Sequence, residues 1–273
     1  SIIIAGTTQD FFGSSYNMYL IKTDNNGNEI WEQTIRHPDN QITSSIIKSQ
    51  DAFLILGTSS DSSNRDSNII LMKTDLDGHV LWNNQYGVEG RETGYQIIEN
   101  GNGYLIVGTT NSYGNGRNDI IVINIDSNGN IIWEKTFGSP SDEEGRSISQ
   151  VSDTIMITGS TFKNAGHSLD QYFLQLNKNG EVSFNETYGT EVYDKGINTH
   201  FVGESYYLIG SSGSRNTDFS ITKINLETYT LNVNTDVGQA YGSGQYYVGA
   251  TPYLEIEEET VYNGDRIRYL FTG

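Results

Sequence analysis

One period governs this chain. The segments IIIAGTT, FLILGTSS, YLIVGTT, IMITGST and YLIGSS place Gly6, Gly57, Gly108, Gly159 and Gly210 at a constant spacing of 51 residues. Gly27, Gly78, Gly129 and Gly180 keep the same step, and so do Trp31, Trp82, Trp133 and Phe184 behind them. Gly87, Gly138 and Gly189 form a third register, and Gly94, Gly145 and Gly196 a fourth. Self-similarity at one fixed period means a structural unit stacked on copies of itself, each burying what the other cannot bury alone. The fifth copy is degenerate, with no turn glycine in NLETYTL.

Each copy reads as four short strands, in the third copy over 93–99, 103–110, 119–125 and 130–137. Val, Ile, Tyr and Phe dominate them, and turn residues follow about every 8 to 12 positions. No window sustains a 3.6-residue period, so no helix is expected. Runs such as IIVINI suit strands covered on both faces. Four antiparallel strands per unit of this length, with both faces covered, make a propeller blade. The expected fold is therefore all-β: a β-propeller of four-stranded antiparallel blades with five repeats visible, the first lacking its inner strand. Asp24-Asn25-Asn26-Gly27 and its copies read as the hairpin from third to fourth strand, with Gly in the left-handed conformation. The following Trp is expected to pack between blades. After residue 228 the register is lost, which predicts propeller repeats over 1–234 and a small, incomplete β unit over 235–273.

Composition narrows the function. The 34 acidic and 16 basic residues give a formal charge of −18. A nucleic-acid partner needs a basic face, so none is expected. No apolar stretch is long enough to span a bilayer, so no membrane insertion of this segment is expected. With no Cys, disulfides, thiolate nucleophiles and Cys-bound zinc are excluded.

With these residues in view, NDIIVINIDSNGNIIWEKTFG followed by DEEGRSI resembles the β-propeller repeat of secreted and cell-surface proteins of bacteria and archaea. The likeness covers residues 1 to about 230. The tail, from YGSGQYYVGAT to RYLFTG, resembles the small β-repeat of divergent internalin type. The pairing implies a multidomain extracellular or cell-surface protein, and the repeat carries no catalytic set that can be mapped. The D-x-x-G-x-x-x-W pattern is also similar to the tryptophan-docking motif of quinoprotein dehydrogenase propellers, where it is structural.

Several positions are candidates for chemistry. Oxygen-bearing residues alternate in the hairpin turns, and Asp75 and Asp77 are the pair best suited to calcium, the one cofactor the pattern admits. Turn chemistry accounts for the same residues. Glu92, Glu143 and Asp194, with Gln41 in the first copy, lie in the loops entering the inner strands and would ring one mouth of the channel. Such carboxylates can hold a cation; alternatively they accept backbone N–H groups or pair with Arg65, Arg91, Arg117, Arg146, Lys163 and Arg215. Asn17, Asn68, Asp119, Asp170 and Asp218 recur at the start of the third strand, where a bond to a neighbouring loop is expected. The loops between second and third strands are long and dissimilar, and loops on a rigid scaffold are where binding concentrates. Tyr113, Arg117, His167 and Arg215 are their ligand-binding candidates. The four histidines share no zinc spacing, and no Ser-His-Asp pattern is singled out.

These observations lead to the expectation of a non-catalytic extracellular module, a scaffold for adhesion, assembly or binding of a protein or glycan partner, and hence of no enzymatic activity. The alternatives are an extracellular enzyme acting on polysaccharide at the channel mouth, or a structural subunit that polymerises by strand addition. In the latter case the exposed inner edge of residues 1–8 would form oligomers by edge-strand pairing.

Overall fold

The computed structural model describes residues 1–9, 15–61, 65–101, 103–163, 168–202, 205–213 and 218–224, and four short strands beyond them. The chain divides into two compact units, Ser1–Asn225 and Leu226–Gly273. In the first unit the strands run β1 (Ile2–Gln9), β2 (Tyr16–Thr23), β3 (Glu29–Ile35), β4 (Asn40–Ser49), β5 (Ala52–Ser60), β6 (Ser67–Asp75), β7 (Val80–Tyr86), β8 (Glu92–Asn100) and β9 (Gly103–Thr110). They continue as β10 (Asp119–Asp126), β11 (Ile131–Phe137), β12 (Glu143–Val151), β13 (Thr154–Lys163), β14 (Ser168–Leu176), β15 (Val182–Tyr188), β16 (Asp194–Val202), β17 (Ser205–Ser212) and β18 (Asp218–Ile224). The four strands expected in the third copy are β8 to β11, within a residue or two at each end.

Sheet order follows chain order: β1-β2-β3, β4-β5-β6-β7, β8-β9-β10-β11, β12-β13-β14-β15 and β16-β17-β18. Every pairing is antiparallel. Each sheet is a propeller blade, and each inner strand (β4, β8, β12, β16) lies beside the next. The second unit holds β19 (Thr228–Leu231) paired with β21 (Gly244–Tyr247), and β20 (Gln239–Tyr241) paired with β22 (Glu255–Glu257). β19 covers the stretch read as the fourth strand of the fifth copy. It joins a partner within its own unit, and the described fifth blade has three strands.

Alternation explains the core. Leu54 and Leu56 pack with Ile106, Ile121 and Ile123 of the third blade, whereas Phe53 and Ile55 pack with Met18 and Leu20 of the first. Neighbouring residues on a strand point to opposite faces, so the strand is apolar throughout and every residue of β9 is buried. Full burial of each such side chain contributes about 1.5–3 kcal/mol. The core is thus a series of layers between blades.

The glycine registers mark close approaches. A Cβ on Gly145 would stand 2.9 Å from the carbonyl oxygen of Gly108, and one on Gly94 3.1 Å from that of Gly57. Each inner strand is therefore pressed onto the second strand of the preceding blade. The N–H of Gly145 donates to Thr109 Oγ1 at 3.3 Å, and that of Gly94 to Thr58 Oγ1 at 3.3 Å. Where the first junction has Thr43 instead of Gly, its hydroxyl donates to the Gly6 carbonyl at 2.7 Å.

Candidate active site at the channel mouth

In a four-stranded meander, the start of the inner strand, the end of the second, the start of the third and the end of the fourth share one end of the blade. The long loops lie there, and the tight turns lie at the other end. The carboxylates predicted to ring this mouth are present but turned inward. Glu92, Glu143 and Asp194 are buried, as is Gln41. Glu143 accepts hydrogen bonds from the Ser139 N–H at 2.9 Å and hydroxyl at 2.7 Å, and from the Thr161 hydroxyl at 2.7 Å. Asp194 accepts from the Thr190 N–H at 2.7 Å and hydroxyl at 2.9 Å. Glu92 accepts from the Val88 N–H at 3.3 Å, from Thr110 Oγ1 at 2.8 Å and from Ser112 Oγ. At the first junction, where Gln41 replaces the acid, the equivalent N–H of His37 donates to Asn17 Oδ1 instead, at 3.2 Å. These side chains hold the interblade loops.

The loop candidates divide. Tyr113 is half-buried against the core between the second and third blades, and its hydroxyl donates to Glu134 Oε1 at 2.7 Å. Burial and Glu134 both push that hydroxyl well above the usual tyrosine range. Arg117 is exposed and pairs with Asp142 at 2.7 Å. His167 and Arg215 lie outside the described residues.

In the calcium candidate turn, Asp75 Oδ1 accepts the N–H groups of Asp77 and His79, each at 2.9 Å. Its Oδ2 lies 3.0 Å from His79 Nδ1. The His79 backbone and ring bonds hold the Asp75 carboxyl below its usual range. Both oxygens thus serve the turn, and among the described residues no three acidic or histidine side chains converge as a metal site.

A different group stands open at the mouth. Each inner strand is interrupted by a bulge directly after its glycine position: pairing skips Tyr95 between Gly94 and Gln96, Arg146 between Gly145 and Ser147, and Ile197 between Gly196 and Asn198. Ser44 is skipped in the same way between Thr43 and Ser45. Bulges re-aim a side chain and are frequent beside active sites. Here they present Ser, Tyr, Arg and Ile in turn, so this position escapes the repeat. The guanidinium of Arg146 lies over the Tyr95 ring, 4.3 Å from its centre. Its Nη2 and Nε donate to Glu144 Oε2 at 2.6 and 3.2 Å. Burial raises the Tyr95 hydroxyl above its ordinary value. Glu144 and Arg146 keep about a third of their side-chain surface exposed, 33% and 37%.

Further along the same strands, a cavity of about 340 Å³ is lined by residues including Gln96, Ser149, Gln150, Asn198 and His200. Gln96 Oε1 accepts the Ile148 N–H at 2.9 Å, and Asn198 Oδ1 accepts the Ser147 hydroxyl at 2.7 Å. Polar side chains therefore cross-link the inner strands along the axis. The Tyr95, Glu144 and Arg146 group was not anticipated from sequence. Its available signal was the variability of positions 44, 95, 146 and 197 beside the constant glycines.

No protein-family model matches the chain, and no characterised protein matches it by sequence. Solved structures do match in fold. An endo-arabinase from Bacteroides thetaiotaomicron aligns at 10% identity over 82% of this chain and 94% of its own, with TM-score 0.49. An α-L-arabinofuranosidase from Lactobacillus brevis aligns at 10% identity over 82% and 90%, with TM-score 0.46. An exo-1,5-α-L-arabinanase from a bovine ruminal metagenomic library aligns at 10% identity over 82% and 93%, with TM-score 0.40. The expectation of a non-catalytic scaffold without enzymatic activity gains no support from these matches, all three of which bear the names of glycosidases. That expectation follows from the repeat pattern and from the resemblance to surface-protein repeats, and a pattern fixed by packing does not register what the unrepeated positions carry. At this identity the likeness concerns the fold.

Proposed function

We propose that the protein is an extracellular enzyme acting on a polysaccharide, with its site at the loop end of the channel around Tyr95, Glu144 and Arg146. The observation that carries this reading is the bulge geometry. Two adjacent inner strands aim an aromatic ring and a guanidinium at each other, with a solvent-accessible carboxylate held on the guanidinium. Sugars are recognised by such sets: an aromatic face packs against the apolar face of a ring, and planar charged groups bond its hydroxyls.

Glycoside hydrolysis uses two carboxyls flanking the scissile bond, one handling the proton of the leaving oxygen. Glu144 is the carboxyl assigned to the site, and Arg146 orients it. A second carboxyl would come from Asp142 or Glu191, in the loops entering β12 and β16. The test is release of reducing ends from a panel of plant and bacterial polysaccharides by the wild type and by Glu144→Gln. Turnover that falls by roughly a hundredfold or more in the variant supports the assignment. A blank panel, or turnover that the variant retains, sinks it.

A further inference from the structure

Beyond the bulges the inner strands leave the repeat a second time. Ile47, Ile98, Ser149 and His200 occupy one position of the repeat. Ile47 and Ile98 pack against the clusters between blades. On β12 the same place holds Ser149, whose hydroxyl has no protein partner. Packing calls for an aliphatic side chain at this position, and the serine forgoes it without gaining a hydrogen bond to the protein. The cavity of about 340 Å³ lies there, lined by Ile98, Ser149 and His200 together with Gln96, Gln150 and Asn198.

The amides around this cavity are oriented by their protein bonds. Gln96 Oε1 accepts the Ile148 N–H at 2.9 Å, and Asn198 Oδ1 accepts the Ser147 hydroxyl and the Thr199 N–H, both at 2.7 Å. Each amide oxygen is thereby fixed, and neither NH2 group has a protein acceptor among the described residues. Gln150 is turned the other way: its Nε2 donates to the Ser152 carbonyl at 3.0 Å. The lining therefore offers two amide donors and one amide acceptor, with Ile98 and Ile148 beside them. Its ionisable side chains are Glu99 and His200, both exposed. Among the described residues that line it, none is Lys or Arg.

A sugar hydroxyl donates and accepts at once, which matches a mixed set of neutral amides. An acidic sugar would call for Arg or Lys against its carboxylate. Ligand pockets begin at about 300 Å³, so this one takes a short stretch of chain. We infer that the cavity is a subsite for uncharged sugar units, beginning at Gln96 directly after Tyr95. The inference rests on the polysaccharide reading above, and it names the substrate as a neutral glycan rather than a polyuronate. Ser149 makes the room, and Gln96 and Asn198 supply the donors.

The test is calorimetric titration of the Glu144→Gln protein with the neutral trisaccharides of arabinose, xylose, glucose and mannose, and with the trisaccharide of galacturonic acid. At least one neutral trisaccharide should bind, about tenfold or more tighter than the acidic one. Ser149→Ile, added to this background, restores the residue of the second and third blades and removes no protein hydrogen bond. It should keep or raise the melting midpoint and weaken binding by about tenfold or more. Gln96→Glu keeps an acceptor for the Ile148 N–H and loses the NH2 donors, which should weaken binding by about tenfold. Failure of every neutral trisaccharide to bind, equal binding of the acidic one, or binding that both substitutions leave intact would overturn the inference. Polysaccharide turnover lost in Glu144→Gln, beside trisaccharide binding indifferent to Ser149→Ile and Gln96→Glu, would remove the subsite and leave the enzyme reading. Binding that Ser149→Ile abolishes, in a protein whose wild type turns over no polysaccharide, would keep the subsite and remove the enzyme reading.

Discussion

Trp133 lies under Gly180 of the next blade: a Cβ on that glycine would stand 3.0 Å from the indole Cη2. Trp31 meets Gly78 and Trp82 meets Gly129 in the same way. The recurring Trp and the recurring turn glycine are thus two halves of one contact between neighbouring blades. Gly180 also has φ +72°, a conformation that side chains disfavour. Gly27 shares the conformation, at φ +86°, but has open space around it. Gly27→Ala should therefore cost the backbone strain alone, about 1–2 kcal/mol. Gly180→Ala should cost more, because the indole must also give way. Equal losses in reversible melts of the two variants would show that the tryptophan contact is slack.

Trp133→Ala tests the same layer from the other side. The ring is half-buried against the cluster of Leu105, Val107, Ile155 and Ile157, and Lys135 beside it donates to the Asn179 carbonyl of the next blade at 2.7 Å. Full burial would put the loss at about 3–5 kcal/mol, and partial burial lowers the expectation to about 2–3. A loss below about 1 kcal/mol in denaturant unfolding would mean that the ring contributes little to the interface.

Glu92 should behave as a structural group. Glu92→Gln weakens an acceptor of the Val88 N–H and the Thr110 and Ser112 hydroxyls. The expected loss is about 1–3 kcal/mol of stability, with polysaccharide turnover per folded molecule unchanged. Tyr95→Ala should show the opposite profile, retaining the fold and losing substrate affinity. If Glu92→Gln abolished turnover in well-folded protein, the buried ring would be part of the chemistry.

The turn aspartates set an acid limit. Asp126 is held below its usual range by the Asn130 side-chain and backbone bonds, and Asp24 by those of Asn28. A depressed folded value adds stability above the unfolded carboxyl range, and this is lost as pH falls through the folded value. Asp126→Ala should therefore lower the melting midpoint at neutral pH and flatten its fall toward acid. A variant whose acid limb matches that of the wild type would remove this turn from the account.

Tyr86 gives an alkaline marker. Its buried hydroxyl donates to the Gly129 carbonyl at 2.8 Å, and burial pushes it up to about 12. The folded group stays neutral where the unfolded one ionises, so its contribution is present below about 10 and lost as pH rises toward 12. Absorbance titration of the wild type should contain a late phenolate step that Tyr86→Phe removes. Titration of every phenol in the ordinary range would contradict the burial.

The repeat by itself determined the blades. Their strands, turns and glycines follow from local rules applied at a constant step: alternation for a two-faced core, an Asx turn with glycine for the hairpin, and an aromatic to meet the next glycine. The buried polar ring at the inner-strand starts was also legible as a set of positions. Its orientation was not, because whether Glu143 faces solvent or the Ser139 and Thr161 donors depends on groups from other strands and loops. Tertiary structure alone brought Tyr95 to Arg146, 51 residues along and one blade over. Nothing local marks either residue, since the same skip in pairing recurs in every inner strand and only the placing of neighbouring blades brings these two side chains together.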